Sequence, residues 1–117
     1  MVEKRVYRML SPDSRMRIIK EKTLRDFYGK HPQAKPGLCH WHNVVLKARW
    51  HNPADVVLSF GHADRVPVRS GNTVTVFNIG GGHFRLIAAI HYDKQRVFVL
   101  LVLTHAEYET GKWREML

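Results

Sequence analysis

Arg85 stands in Phe84-Arg85-Leu86-Ile87-Ala88-Ala89-Ile90, an otherwise apolar run. A guanidinium in such a stretch must reach water or an anion, because burying it unpaired is costly. Its planar fork of donors suits a phosphate. A salt bridge to a local carboxylate is the structural alternative. The second group is Thr104-His105-Ala106-Glu107-Tyr108, which directly follows the most apolar segment of the chain. An imidazole there can give or take a proton near neutral pH. A phenol can donate a hydrogen bond or stack on a base. The same five residues also read as a helix start, with Thr104 as cap and Glu107 closing a capping box.

Other chemistries find less support. His40 and His42 are two residues apart on an expected helix and face different ways. No H-x-x-x-H or C-x-x-C spacing favours a zinc site. Gly80-Gly81-Gly82 precedes His83 but joins two expected strands, whereas a nucleotide phosphate loop opens a helix. Spacing places no Ser-His-Asp or Cys-His set. Cys39 is the sole cysteine and lies near Leu38 and Trp41, so it reads as a core or helix residue and not a nucleophile.

The elements that must hold these groups follow from periodicity. Residues 1–15 carry Lys4, Arg5, Arg8 and Arg15 with little pattern, and are expected to be an extension outside a single domain spanning 16–117. Met16, which could be the natural start, opens Met16-Arg17-Ile18-Ile19-Lys20, a first strand. Thr23 and Asp26 suggest a helix N-terminus, with Leu24, Phe27 and Tyr28 on one face. Gly29 and then Pro32 should end that helix. A second helix begins near Ala34 to Pro36, and its stripe is Leu38, Trp41, Val44, Val45 and Ala48. Asn52 caps a third, short helix with Pro53 at its first position, and this helix stops at Gly61.

From Val66 the pattern turns to strands. Val66-Pro67-Val68 suits only an edge. Thr73 to Ile79 and His83 to Tyr92 follow, the latter with His83, Arg85, Ile87, Ala89 and His91 on one side. Val97 to Leu103 is apolar throughout, the mark of a strand covered on both faces. Ala106 to Leu117 reads as a last helix. The fold class is therefore α+β: an N-terminal strand and two to three helices packed on a small curved antiparallel sheet whose other face is partly open.

Lys and Arg total 19 against 10 Asp and Glu in 117 residues, a net charge of +9. Such an excess favours a polyanionic partner. The lone cysteine fits a reducing cytoplasm. No apolar run is long enough to span a membrane and no signal core opens the chain.

Taken in order, Lys22 to Phe27, Lys30-His31-Pro32, Ala48 to Trp50, Asn52 to Val56, Val76-Phe77-Asn78-Ile79, Phe84-Arg85-Leu86-Ile87 and Thr104 to Tyr108 resemble the HigB toxins of the RelE/ParE-like superfamily. The resemblance runs from Met16 to about Tyr108. It implies a RelE-like fold that cleaves mRNA, usually on translating ribosomes, and is neutralised by a HigA-type helix-turn-helix antitoxin. It implies no metal and no other cofactor. Arg85 matches the strand arginine that would hold the scissile phosphate. Thr104, His105 and Tyr108 match a C-terminal motif to which proton transfer and base stacking are assigned, and Asn78 is a further expected RNA contact. Many relatives have Lys where this chain has Gly80, and Arg where it has Leu100. Charge stabilisation is often the largest catalytic term, so His83 and Arg96 are expected to compensate for the two missing cations. A non-catalytic RNA or ribosome binder on the same scaffold is the alternative from a different class. An inhibitor of a DNA topology enzyme, as in ParE-like relatives, stands further behind.

Overall fold

The computed structural model describes residues 15–117. The expectation that residues 1–15 stand apart falls, Arg15 excepted, outside the described residues. A β-strand, β1 (Arg17–Ile19), leads into helix α1 (Lys22–Lys30), a 3-10 turn (Pro32–Ala34), helix α2 (Lys35–Lys47) and short helix α3 (Pro53–Ser59). Strands β2 (Asp64–Pro67), β3 (Thr73–Ile79), β4 (Phe84–His91) and β5 (Arg96–Thr104) follow, then short helices α4 (His105–Glu109) and α5 (Trp113–Met116). The five strands form one sheet in the order β1-β5-β4-β3-β2. Strands β2 to β5 are successively antiparallel, while β1 runs parallel to β5. The chain is α+β, as its sequence indicates, and β2 with its Pro67 is indeed an edge.

Several local expectations are corrected. Helix α1 starts at Lys22, one residue before Thr23, and has no side-chain cap. Lys20 takes a left-handed conformation, φ +67, and its carbonyl receives the Thr23 N–H, so the turn is already made by backbone before Thr23. Gly29 lies inside the helix, which breaks at His31, because Pro32 biases the residue before it toward extended backbone. Of the two placements open to Cys39, core or helix, the helix one holds: it is exposed on α2, since Leu38, Trp41 and Val45 take the buried face. The C-terminal stretch is two short helices and not one, parted at Gly111, whose φ is +73. The third helix matches its signal: the Asn52 side chain accepts the Asp55 N–H at 3.0 Å.

Helices α1, α2 and α3 cover one face of the sheet. Phe77 on β3 is fully buried there, with Trp41 and Phe60 edge-on to its ring and Trp50 stacked at 18°. Phe84, Leu86 and Ala88 from β4 and Val97, Val99 and Val102 from β5 join the same core. The opposite face carries Val66, Val74, Val76 and Ile87 under Trp113, while Leu100, Leu101 and Leu103 are only half covered. Strand β5 is thus apolar on both sides because both sides are occupied. Between Ile87 and Ala88 the register slips: Ile87 pairs Leu101 and Ala88 pairs Val99, leaving Leu100 as the extra residue of a bulge.

Helix α2 meets the sheet closely at Gly37. A Cβ there would lie 2.8 Å from the Gly80 nitrogen and 2.8 Å from Ile79 Cγ2. Gly29, also helical, has nothing within 4 Å of such a Cβ. Gly37→Ala is expected to lower unfolding free energy by about 1–3 kcal/mol through overpacking. Gly29→Ala should raise it, by up to about 1 kcal/mol, through helix propensity. Urea denaturation of the two variants reads both signs, and a gain in both would show that α2 can move off the sheet.

Candidate active site

The antiparallel pairing of β4 with β5 decides which of the sequence-selected residues meet. Phe84 lies beside Thr104 and Arg85 beside Leu103, and the His105 N–H donates to the His83 carbonyl at 2.9 Å. His83, Arg85, Thr104 and His105 are therefore neighbours at one end of the sheet. On the other flank of β4, Asn78 lies directly across from Arg85. Its backbone N–H donates to His62 Nδ1 at 3.3 Å. The row Asn78, Arg85, Leu103 crosses three strands on the face turned away from α1 and α2.

Arg85 is half-buried, and its Nη1 donates to the carbonyls of Gly82 and Phe84. Its guanidinium carbon lies 5.2 Å from the centre of the Tyr108 ring. Among the described residues the ion pairs join other side chains, and no carboxylate is paired with Arg85. The salt-bridge alternative thus does not describe this arginine. A cation held by carbonyl dipoles and a ring quadrupole keeps donors available to a phosphate.

Tyr108 is fixed in turn. Trp113 stacks on it, 5.3 Å between centres at 19°, and the indole N–H donates to the Tyr108 carbonyl at 3.2 Å. The tyrosine ring is thereby already engaged by Trp113 and Arg85. Neither Trp113 nor this stack was legible in the sequence, because the contact depends on the reversal at Gly111.

Thr104 and Glu107 form a complete capping box. The Thr104 hydroxyl accepts the Glu107 N–H at 3.2 Å, and Glu107 Oε1 accepts the Thr104 N–H at 2.9 Å. The helix-start reading of this motif is correct, and it aims His105 outward. His105 Nε2 lies 3.6 Å from Glu109 Oε1, with both side chains more than half exposed, so this pair adds little stability.

On the helix side of the same end, His31, Gln33, Gly80, His83 and Phe84 line a cleft of about 350 Å³. His31 stacks on Phe27 at 4.5 Å. Its imidazole was missed as a candidate, although Lys30-His31-Pro32 was among the residues carrying the family resemblance. Gly80 thus borders a cleft with two imidazoles. Leu100 sits at the bulge and lines a second cleft with Thr23, Asp26, Phe27 and Lys30.

Arg96 does not join this cluster. It pairs with His91 at the start of β5, eight residues before Thr104, roughly 26 Å away at ordinary strand rise. Nearness in sequence misleads here because the hairpin turn sends the two ends of β5 to opposite ends of the sheet. The compensation expected of Arg96 is therefore withdrawn. Among the described residues no three His, Cys, Asp or Glu side chains gather to hold a metal ion, and no helix is long and apolar enough to cross a membrane.

Comparison with known proteins agrees with this architecture. Residues 34–111 match the family described as HigB toxin, RelE-like toxic component of a toxin-antitoxin system. The chain is 30% identical over 94 residues to the mRNA interferase toxin HigB of Escherichia coli (strain K12), covering 80% of this chain and 88% of that protein. It is 28% identical over 102 residues to the mRNA interferase HigB of Escherichia coli O6:H1, covering 86% and 97%. The chain belongs to the HigB family of RelE-like toxins. A toxic component of such a system implies an antitoxin partner.

Removing the cap hydroxyl tests how the site is held. Thr104→Ala is expected to cost about 1 kcal/mol of stability, the usual loss for a threonine N-cap. Chemical denaturation measures it, and an unchanged midpoint would mean that α4 is held by packing alone.

Proposed function

We propose that this chain is a metal-independent endoribonuclease, an mRNA interferase, that cuts mRNA on the translating ribosome. The ribose 2′-oxygen attacks the adjacent phosphorus, the bond to the 5′-oxygen breaks, and a cyclic phosphate and a free 5′-hydroxyl result. The 2′-OH proton leaves to a base, and the 5′-oxygen receives a proton from an acid. Negative charge grows on the phosphate oxygens in between, where a positioned cation contributes most. Arg85 is assigned that cation, and the lack of a carboxylate partner for it among the described residues is the observation that carries the reading.

His105, exposed beside the Arg85 strand, is assigned proton transfer. Tyr108 steadies the guanidinium with its ring and has its hydroxyl for a hydrogen bond to the RNA. Asn78, His83 and Thr104 are assigned RNA contacts at the same end of the sheet. His83 and His31, which line the cleft at Gly80, and Lys30, which shares a cleft with Leu100, are assigned the part of the two cations that the resemblance leads one to expect at Gly80 and Leu100. The naming of the Escherichia coli relatives as mRNA interferases supports the choice of RNA as substrate. The antitoxin partner is assigned to the HigA type, a helix-turn-helix protein.

Mapping mRNA ends after brief induction tests this reading. Wild-type protein should generate new 5′ ends within coding regions and arrest growth. Arg85→Ala should lower cleavage about 10²–10³-fold, and His105→Ala about 10²-fold or more, with both proteins folded by circular dichroism. Intact transcripts with the wild-type protein, or full cleavage by Arg85→Ala, would overturn it. Intact transcripts together with salt-dependent RNA affinity would identify a non-catalytic binder instead.

A further inference from the structure

The end of the sheet opposite Arg85 carries a charge pattern that packing does not explain. Parallel pairing sets Arg17 of β1 beside Arg96 of β5, and antiparallel pairing sets Arg96 beside His91 of β4. Two guanidiniums and an imidazole thus lie in one row across three strands, on the same face. Strands are about 4.8 Å apart, and like charges directly opposite are destabilising. Among the described residues no carboxylate is paired with any of the three. Asp93 and Lys94 in the adjoining turn carry opposite charges, so the turn contributes little net field.

An aromatic ring completes the row. Phe98, two residues beyond Arg96, shares its face, and the His91 ring lies 4.9 Å from it at 56°. Val97 and Val99 point the other way into the helix-covered core, each fully buried. Phe98 and Arg96 are half-buried, and Arg17 and His91 are exposed. Cations that can follow a phosphate backbone, set around a ring that can take a base, are the combination by which single-stranded nucleic acid is held without base-edge readout. An acidic protein surface would meet the same cations, and the antitoxin arm of the test below separates it from RNA.

We propose that Arg17, Arg96, His91 and Phe98 form a second RNA-binding surface, apart from the Arg85 cluster, that takes the phosphate backbone and one base of a single-stranded segment. The choice of RNA as the polyanion rests on the function proposed above. The surface itself rests on the row and the ring. With the two contacts roughly 26 Å apart along β5, this surface fixes where a strand lies without touching the scissile phosphate.

The test uses the full chain and a short 2′-O-methyl oligouridine, which lacks the attacking hydroxyl and cannot be cut. Its affinity is read by fluorescence anisotropy between about 50 and 200 mM salt. Replacing both arginines (R17A with R96A) should weaken binding at least about tenfold and flatten the salt slope by about 1.4, at about 0.7 per lost phosphate contact on a single strand. Phe98→Leu should weaken binding about fivefold or more at unchanged slope, as expected for a lost stacking contact. Arg69→Ala, which removes a cation paired with Glu115, should leave affinity and slope as in the wild type. The thermal midpoint of the double arginine variant should not fall, because a like-charge contact has been relieved. An unchanged slope in that variant, or an equal loss in Arg69→Ala, overturns the proposal. So does a double variant that binds the oligonucleotide normally but is no longer neutralised by its antitoxin, since the row would then serve a protein. Because the probe cannot be cleaved, loss of binding in the arginine variant supports the surface even if the wild-type protein leaves transcripts intact.

Discussion

The pairing of β4 on β5 is the constraint that decides which residues of the candidate site meet. With Phe84 beside Thr104 and His91 beside Arg96, one hairpin fixes two separate groups of cations at its two ends. It also settles that Val97, Val99 and Val102 look toward the helices while Leu101 and Leu103 look away. The bulge at Leu100 is what allows this. Without one extra residue, every side chain from Leu101 onward would change faces, and Leu103, not Thr104, would stand opposite Phe84. The cap, the outward imidazole and the chain reversal onto Trp113 all start from that register.

At the Arg85 end, the guanidinium is held by carbonyls and a ring, with no carboxylate paired to it among the described residues. A carboxylate beside the guanidinium would hold it more firmly but would also neutralise it. Carbonyl oxygens and a phenol ring hold it while leaving its charge largely uncompensated. Trp113 then carries the packing load behind Tyr108, buried against Val66, Val68 and Ile87. Helix α5, beyond residue 111 where the family match ends, thus packs behind the candidate site.

Much of this was legible because it is local. The β-branched run Thr73 to Ile79 is a strand with those bounds, Asn52-Pro53 opens α3, and Pro67 marks an edge. The alternation of β4 placed Arg85 and His91 on one face correctly. What was not legible depends on residues far apart in the chain. No short pattern reveals that β1 pairs in parallel with β5, so the neighbourhood of Arg17 and Arg96 stayed hidden. The bulge, the cleft shared by His31 and His83, and the Tyr108–Trp113 stack are likewise tertiary events. The helix end differs from the expected Gly29 for a simpler reason: a helix stripe identifies the buried face but says little about single positions near its end.

The three glycines before His83 set the path by which the chain enters β4. Gly80, Gly81 and Gly82 have φ of +61, +68 and +95, a backbone path costing about 1–2 kcal/mol at each position for a residue with a side chain. A Cβ at the first of them would meet only Phe84, at 3.5 Å, so there the cost is the conformation itself, which Lys20 also adopts at φ +67. The curl that the three glycines make brings the Gly82 carbonyl round to accept from the Arg85 guanidinium, so the left-handed path of this loop and the way that cation is held depend on each other.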